Sequence, residues 1–327
     1  MMNIAILSFA HMHAESYAQA LLAQENVTLS GIWDDDVARG KDAAHRYGTT
    51  FYADLTALLQ TDIDAVIVCS ENYRHKALVI EAAKHHKHIL CEKPIATEVE
   101  DAKAMIKACE AHQVTLQIAY PVRFIPAIEA AVSYIKAGGI GDVIAINAAN
   151  HGQLPGGWFI DKEKAGGGAA TDHIVHIMDV VRWMLDDEVS GVYARLATLF
   201  HNIDVEDSGQ VVIEMEKGTL LNLDPSWSRP RTFPMWGDVL MEVIGTEGTL
   251  KIDGFKDTTT FYDDQAKQVT ALSWGIDMDE RLVQDFVSCI NEGRKPFITG
   301  EDGLRTLKVV KAAYQSNETN QFVKVTR

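Results

Sequence analysis

The sequence predicts an α/β fold, with a Rossmann-type nucleotide-binding domain followed by an α+β domain that has a large, mostly antiparallel open sheet. From Asn3 to Ala119, short apolar runs alternate with helical patterns, which is typical of a parallel sheet covered on both faces. From Val192 to Leu272, strand candidates follow one another with turn residues between them, which is typical of antiparallel pairing. We therefore expect one domain over residues 1–120 and a second over residues 121–327.

The length of 327 residues suits two domains, and 47% hydrophobic with 23% charged residues is ordinary for a globular protein. The formal net charge of -16 disfavours nucleic acid and anionic membrane surfaces as partners, because an acidic field repels phosphate. Small-molecule chemistry remains open.

The four cysteines are widely spaced and form neither a zinc-binding nor a disulfide pattern, which favours a reducing cytoplasm. The first residues lack the basic segment of a secretion signal, and the apolar runs are too short for a membrane-spanning helix. We expect a cytoplasmic protein without a membrane partner.

The first region opens with a β-α-β unit, in which the apolar run Asn3–Leu7 precedes a helical pattern that ends near Gln24 and a strand at Val27–Trp33. The alternation continues to the end of the region. Further strands are expected at Ala65–Cys69, Ile89–Cys91 and Thr115–Ala119, with helices near Val37–Tyr47, His75–His85 and Glu98–His112.

The second region begins with a helix near Ala127–Lys136, a strand at Val143–Ala149 and, after a glycine-rich loop, a helix at about Thr171–Leu185. Seven strands are expected next, at Val192–Leu199, Gln210–Met215, Thr219–Leu223, Val239–Ile244, Thr249–Ile252, Thr259–Tyr262 and Gln268–Leu272. The chain closes with helices at about Glu280–Asn291 and Glu301–Ser316 and a strand at Phe322–Val325. The last helix is expected to pack back on the first domain.

The loop after the first strand is where a dinucleotide-binding turn usually reads G-x-G-x-x-G, because glycine permits a tight turn and close approach to the pyrophosphate. Here the three positions are Ser8, Ala10 and His13. The first two are small, and the Ser8 hydroxyl can bond a phosphate oxygen, but His13 cannot reproduce the close helix packing of the third glycine. We count Ser8, Ala10, His11 and His13 as candidate cofactor-binding residues.

The second strand ends at Asp34, roughly 20 residues beyond this loop, where an acid usually bonds the hydroxyls of the adenosine ribose. A carboxylate there repels a 2′-phosphate, and no basic residue follows before Arg39. The pattern favours NAD(H) over NADP(H). The alternative is an acidic turn between a strand and a helix.

Glu92, Lys93 and Pro94 follow the apolar strand that ends at Cys91. A lysine at the point where a buried strand emerges into a crevice holds an ammonium group against a bound molecule, and the proline restricts the backbone of Lys93. The alternative is an ordinary charged strand end followed by a turn.

Asp172 and His176 lie four residues apart in the helix after the Gly166–Gly168 run, so their side chains share one face. A carboxylate in this position can orient an imidazole, and histidine titrates in the range that suits proton transfer from a hydroxyl. The alternative is a solvated polar face, since the apolar residues of the helix lie on its other side.

His11 and His13 also permit another interpretation, because two histidines separated by one residue after a first strand begin the metal site of many barrel hydrolases. The late antiparallel strands do not suit an eight-fold barrel. A surface histidine pair is a further alternative.

Four motifs occur in one order along nearly the whole chain: Asn72-Tyr73-Arg74-His75, Glu92-Lys93-Pro94, Arg123-Phe124, and the Gly166–Gly168 run with Asp172 and His176. In this order and separation they resemble the glucose-fructose oxidoreductase, inositol dehydrogenase and MocA family. The resemblance implies a nicotinamide-binding domain joined to an α/β domain whose open sheet often mediates oligomers. It also implies oxidation of a sugar or polyol hydroxyl, or reduction of the ketone, by hydride transfer.

Carried over residue by residue, the resemblance implies that Lys93 bonds the reacting oxygen, His176 is the general acid/base, and Asp172 binds substrate and tunes that histidine. It further implies a homo-oligomer, dimer or tetramer, formed through the open sheet. The resemblance also implies cofactor contacts for Asn72, His75, Glu92, Lys93 and Arg123. It implies substrate contacts for Arg123 and Trp158, although Trp158 can equally anchor its loop.

The leading hypothesis is an NAD(H)-dependent oxidoreductase acting on a sugar, polyol or related keto-sugar. A second hypothesis is a non-catalytic sensor of a sugar or nucleotide that keeps the fold, suggested by the missing glycines. The third is a metal-dependent hydrolase that uses His11 and His13.

Overall fold

The structure, a computed structural model, describes residues 1–256, 258–263, 267–273 and 277–326. The chain groups into two compact units. Unit 1 comprises Met1–Pro121 and Asp277–Leu304, and unit 2 comprises Val122–Ile276 and Arg305–Arg327.

Strands and helices alternate through the first part of unit 1. In chain order they are β1 (Met2–Leu7), α1 (His13–Leu22), β2 (Val27–Trp33), α2 (Val37–Tyr47), β3 (Phe51–Tyr52), α3 (Leu55–Leu59), β4 (Ala65–Val68), α4 (His75–Lys84), β5 (His88–Cys91), α5 (Val99–Ala111) and β6 (Leu116–Ile118).

The six strands of unit 1 form a parallel sheet in the order β3-β2-β1-β4-β5-β6. β4 is buried along its whole length, and β1 and β5 nearly so, which explains why they read as continuous apolar runs. The strand order reverses between β1 and β4. In such sheets ligands bind outside the carboxyl ends of the strands at this switch point. Here the two strands are β1 and β4, which are followed in the chain by Ser8 and Cys69.

The rest of the chain forms unit 2, except for Asp277–Leu304, which belongs to unit 1. Its elements are α6 (Pro126–Lys136), β7 (Val143–Ala149), α7 (Lys162–Ala165), α8 (Ala169–Leu185), β8 (Val189–Ala197), β9 (Ser208–Met215), β10 (Leu220–Asp224), β11 (Leu240–Gly245), β12 (Thr249–Asp253), β13 (Thr258–Asp263), β14 (Gln268–Ser273), α9 (Met278–Glu292), α10 (Gly300–Thr319) and β15 (Val323–Lys324). Of these, α9 groups with unit 1, and α10 begins in unit 1 and continues into unit 2.

Seven strands of unit 2 form a sheet in the order β12-β11-β7-β10-β9-β8-β15. Only the β7 and β10 pair is parallel, and the other pairs are antiparallel. Burial alternates along β9, where Val211 and Ile213 are buried while Val212 and Glu214 are exposed. The sheet therefore has one covered and one open face, which confirms the predicted α+β class.

Some elements differ from the sequence-based expectations. β3 and α3 were not expected, because two and five residues are too short for a periodic pattern. α8 begins at Ala169, two residues earlier than expected, because a distant side chain bonds the N–H groups at its start. Among the described residues, every helix is too short or too polar to span a lipid bilayer.

Candidate active site

The turn after β1 adopts a conformation typical of glycine without containing one. Ser8 has a φ of 75°, in the left-handed region that residues with a Cβ enter only at a cost. Its hydroxyl accepts a hydrogen bond from the Ala10 N–H at 3.2 Å and another from the Arg39 guanidinium at 3.3 Å. Side-chain hydrogen bonds thus hold the shape that glycines usually provide.

Asp34 lies buried at the carboxyl end of β2, and both of its oxygens accept hydrogen bonds. The Phe9 N–H donates at 2.8 Å and the Asp36 N–H at 3.0 Å, while Arg39 donates from Nε at 2.8 Å and from a terminal nitrogen at 2.6 Å. Burial raises the pKa of Asp34, but the Arg39 and backbone hydrogen bonds outweigh it and lower the pKa, so the carboxylate is ionised. The sequence placed Asp34 correctly at the strand end but did not reveal its pairing with Arg39.

Glu92 is fully buried and connects the backbone of Lys93 to α1. One carboxylate oxygen accepts from the Tyr17 hydroxyl at 2.5 Å and contacts His13 Nδ1 at 2.9 Å, and the other accepts from the Lys93 N–H at 2.9 Å. Burial raises the pKa of Glu92, but the neighbouring histidines lower it well below its ordinary range. Lys93 is itself buried, and its peptide bond to Pro94 is cis.

His75 and Asn72 lie in the segment after β4, and both are buried. His75 contacts the Pro94 carbonyl oxygen through Nδ1 at 3.0 Å and the Ser70 carbonyl oxygen through Nε2 at 3.3 Å. Burial lowers the pKa of His75, which favours the neutral ring. Because a neutral ring has one N–H, only one of these two carbonyl oxygens can accept a hydrogen bond from it, and the Nδ1 contact is the one that reaches the turn carrying Lys93. The cofactor contacts expected for His75 and Asn72 stay predictions.

His11, His13 and Glu92 come together as donor atoms that lie within 4.8 Å of one another. The hydrogen bonds nevertheless favour protons over a metal ion. His11 Nδ1 accepts from the His13 N–H at 3.2 Å, so a neutral His11 carries its proton on Nε2, which faces Glu92 at 3.8 Å. If a metal ion bound Nε2 while Nδ1 accepted the hydrogen bond from the His13 N–H, neither ring nitrogen could carry a proton. The ring would then have to be an imidazolate. His11 and His13 are also not a surface pair, since His11 is buried.

In unit 2, the start of α8 is fixed by Glu206, a residue far from it in the chain. Glu206 Oε1 accepts from the Gly168 N–H at 2.9 Å, from the Ala170 N–H at 3.0 Å and from the Tyr314 hydroxyl at 2.6 Å. A Cβ on Gly168 would overlap the backbone oxygen of Glu206. This glycine permits close approach of two chain segments, and the resulting cap sets the position of the helix that carries Asp172 and His176.

Asp172 and His176 on α8 are each only 8% exposed, so the alternative of a solvated polar face is wrong. The Trp227 indole N–H donates to Asp172 Oδ2 at 3.1 Å, and His173 Nε2 lies 3.3 Å from the same oxygen. His173 Nδ1 contacts the Pro225 carbonyl oxygen at 3.0 Å. The catalytic roles expected for Asp172 and His176 stay predictions.

Sequence reasoning missed His173 and Trp227 as partners of Asp172. Trp227 is fully buried and packs with Ala169 and Val205 in a small apolar cluster. The only signal was a large apolar residue inside the polar segment that follows β10. Because Trp227 stands 55 residues from Asp172, no local pattern connects the two.

Arg123 forms a buried, bidentate ion pair with Asp179 on α8. Its Nε donates at 2.6 Å and a terminal nitrogen donates at 2.5 Å, and Asp179 is fully buried. Asp179 is therefore buried inside unit 2. The expected contacts of Arg123 with cofactor and substrate stay predictions.

The segments after β7 and β10 meet at His151. Its Nδ1 contacts Asp238 at 2.9 Å, its Nε2 contacts Asp224 at 3.4 Å, and Arg229 pairs with Asp238. Burial lowers the pKa of His151, but the two carboxylates outweigh it and raise the pKa to about 9.

Trp158 lies in a 3-10 turn at Gly157–Ile160, and its ring stacks on Phe159 with centroids 3.9 Å apart. Phe159 in turn packs against the apolar cluster around Trp227. This contact agrees with the loop-anchor alternative, and the substrate contact expected for Trp158 stays a prediction.

Comparison with known proteins matches both halves of the chain to family models. Residues 2–120 match the model described as oxidoreductase family, NAD-binding Rossmann fold, and residues 128–251 match the GFO/IDH/MocA C-terminal domain.

Individual relatives and solved structures are also similar to this chain over most of its length. The 2,7-anhydro-N-acetylneuraminate hydratase of Escherichia coli (strain K12) is 30% identical over 77% of this chain and 68% of its own length. The myo-inositol 2-dehydrogenase of Thermotoga maritima is 27% identical over 94% of both chains. Among solved structures, GenD2 from gentamicin A biosynthesis in complex with NAD matches with a TM-score of 0.92 and 25% identity, over 100% of this chain and 97% of its own. These similarities favour neither the sensor nor the metal hydrolase.

Proposed function

The chain belongs to the GFO/IDH/MocA oxidoreductase family, and we propose that it transfers a hydride between NAD(H) and a sugar, polyol or related keto-sugar. The observation that carries this proposal is the placement of Lys93. This buried lysine follows β5, one strand from the switch point of a parallel sheet, and Glu92 fixes its backbone. Relatives that bear names such as myo-inositol 2-dehydrogenase support the substrate class.

The residues of unit 1 fit a dinucleotide. Asp34 has an ionised carboxylate at the end of β2, and a ribose hydroxyl would replace one of the four hydrogen bonds that this carboxylate accepts. Ser8 supplies the left-handed backbone of a phosphate-binding turn, and its hydroxyl is a further donor. The Ala10 N–H, which donates to the Ser8 hydroxyl at 3.2 Å, is a further backbone donor of this turn.

The preference for NAD(H) rests on Asp34, whose carboxylate would repel a 2′-phosphate. Arg39 offsets part of this charge, since it donates two hydrogen bonds to the same carboxylate. We propose that the pair still selects NAD(H), because the guanidinium is held by Asp34 and by Asp35, which it contacts at 3.2 Å.

The nicotinamide supplies the hydride chemistry when it is bound, and the protein holds the alcohol and manages the proton. In this proposal Lys93 bonds the reacting oxygen and stabilises its developing charge. His176 takes the hydroxyl proton in oxidation and returns it in reduction. Asp172 binds a substrate hydroxyl, and its hydrogen bond from Trp227 fixes the carboxylate.

We propose further that residues 1–120 form the cofactor domain and residues 121–327 the substrate domain. The open face of the unit 2 sheet exposes Leu220 on β10, and the exposed Val212 lies on the same face of the neighbouring β9. This apolar surface supports a homo-oligomer, dimer or tetramer. The four cysteines are buried free thiols, which agrees with a reducing cytoplasm.

The test is turnover of a polyol and ketose panel by the native protein and by Lys93→Ala and His176→Ala. Each variant is expected to lose at least about 100-fold in kcat while NADH still binds, because each removes a group that acts on the proton or the oxyanion. Lys107→Ala and His45→Ala, which alter exposed residues of unit 1, are the matched controls. Loss of NADH binding in a folded Lys93 or His176 variant would contradict these roles.

A further inference from the structure

His13, the first residue of α1, occupies the position of the third glycine in the expected dinucleotide turn. Its ring leans onto the end of β5, where Nδ1 lies 2.9 Å from Glu92 Oε1. The Tyr17 hydroxyl donates to the same oxygen at 2.5 Å, so two side chains of α1 hold one carboxylate oxygen.

The other oxygen of Glu92 accepts from the Lys93 N–H at 2.9 Å. A single carboxylate therefore connects His13 to the backbone of the lysine assigned to the reacting oxygen. Because Glu92 is fully buried and ionised, it needs a compensating charge and filled hydrogen-bond positions.

Protonated His13 can provide that charge, since its Nδ1–H donates to Glu92. Burial lowers the pKa of His13, whereas the charge and the hydrogen bond of Glu92 raise it, Asp279 on α9 adds to the rise and Lys93 opposes it, so that the pKa is raised overall. Asp279 is buried, and burial raises its own pKa to about 6. The groups that face His13 are therefore Glu92, Asp279, Lys93, His11 and, on its own helix, Tyr17.

We propose that His13 is a positioning residue, which holds Lys93 in place through Glu92 by means of its charge and its hydrogen bond. The inference rests on the proposed function, since it assigns a further residue to the same reaction. His13 takes the place of a loop glycine and exchanges close backbone packing for a polar link between α1 and the end of β5.

The central experiment compares the native protein with His13→Gln, which keeps a hydrogen-bond donor and removes the charge. We expect kcat to fall by one to two orders of magnitude, because small misplacement of a reacting group costs on this scale, while KM changes less than about threefold. In the native protein kcat falls on the alkaline side as His13 loses its proton, and this limb is absent in His13→Gln. His13→Lys, which restores a cation beside Glu92, recovers part of the loss.

The matched control is His201→Gln in unit 2, where His201 Nδ1 contacts Asp207 at 3.0 Å in a comparable histidine and carboxylate pair. This variant keeps the kcat and the pH profile of the native protein. Equal pH profiles for native protein and His13→Gln would overturn the proposal. So would stoichiometric zinc in the native protein by elemental analysis, since the metal would then hold Glu92.

Two readouts need no substrate. The Tm of the native protein exceeds that of His13→Gln at acid pH, and the difference disappears as the pH rises through the pKa of His13 in the folded protein. If His13→Gln fails to fold, NMR of the native protein labelled with 15N-histidine decides the matter, because a neutral His13 ring at pH 7 overturns the proposal. If the native protein turns over no polyol or ketose, the proposed function fails, while these two results still report on the link between His13 and Glu92.

Discussion

The turn after β1 and the start of α8 are two places where the backbone must take an unusual course, and they achieve it in opposite ways. The first contains no glycine, and Ser8 enters the left-handed region with support from its hydroxyl and from Asp34. The second contains three glycines, and Gly168 is pressed against the backbone of Glu206. A missing glycine is tolerated where side-chain hydrogen bonds can replace conformational freedom. It is not tolerated where two backbones touch.

The largest effect is expected for Gly168→Ala. Its Cβ would overlap the Glu206 carbonyl oxygen, which belongs to the backbone and cannot rotate away, so we expect a loss of about 3 kcal/mol in the free energy of unfolding. Chemical denaturation measures it. Gly248→Ala is the control, because a Cβ there meets its neighbours at ordinary contact distances from 3.5 Å. Equal stability of the two variants would show that close approach does not explain the glycine at 168.

A smaller effect, which depends on pH, is expected at His151. Its pKa of about 9 in the folded protein exceeds the ordinary value near 6.5, so its contribution is fully present below about pH 6.5 and is lost as the pH rises through about 9. Asp224 and Asp238 have lowered pKa values, because hydrogen bonds from His151 outweigh burial, and their contribution is lost in acid.

We therefore expect His151→Gln to lose about 1.5 kcal/mol near pH 6 and almost nothing near pH 10 relative to the native protein. Thermal denaturation between these pH values measures the difference. His45→Gln, at an exposed position of α2, is the control and should follow the native curve. A constant difference between His151→Gln and the native protein at every pH would mean that charge on His151 does not stabilise the fold.

The smallest effect is expected at Ser8, where two substitutions sharpen the comparison. Ser8→Gly removes the cost of the left-handed backbone, about 1 kcal/mol, but loses the hydroxyl bonds, so its stability stays within about 1 kcal/mol of the native protein. Ser8→Ala keeps the strain and loses the same bonds, and we expect it to be less stable than Ser8→Gly. If Ser8→Ala matches the native protein, the hydroxyl does not support the turn.

The sequence predicted most of what depends on neighbours in the chain. The parallel sheet, the open antiparallel sheet and the strand ends that carry Asp34 and Lys93 all follow from apolar periodicity and short motifs. The pairing of Asp34 with Arg39 did not follow, because it depends on the side-chain conformation of Arg39. The cap on α8 could not be predicted either, since Glu206 lies 38 residues from Gly168.

The same reasoning explains why burial of the Asp172 face was missed. Its polar residues resemble a solvated surface in a helical projection, but Arg123 pairs with Asp179 and Trp227 bonds Asp172. These partners come from segments 56 and 55 residues away. A buried polar face is recognisable only after its partners are known.

The most direct test of the account is a parallel titration of the native protein with NADH and NADPH, followed by energy transfer from its tryptophans to the reduced nicotinamide. We expect saturable binding with a clear preference for NADH, because Asp34 is ionised and because, in our proposal, the turn at Ser8 binds the pyrophosphate without glycine. Tighter binding of NADPH would contradict the role of Asp34. Binding of neither nucleotide would contradict the proposal that this chain is an NAD(H)-dependent oxidoreductase.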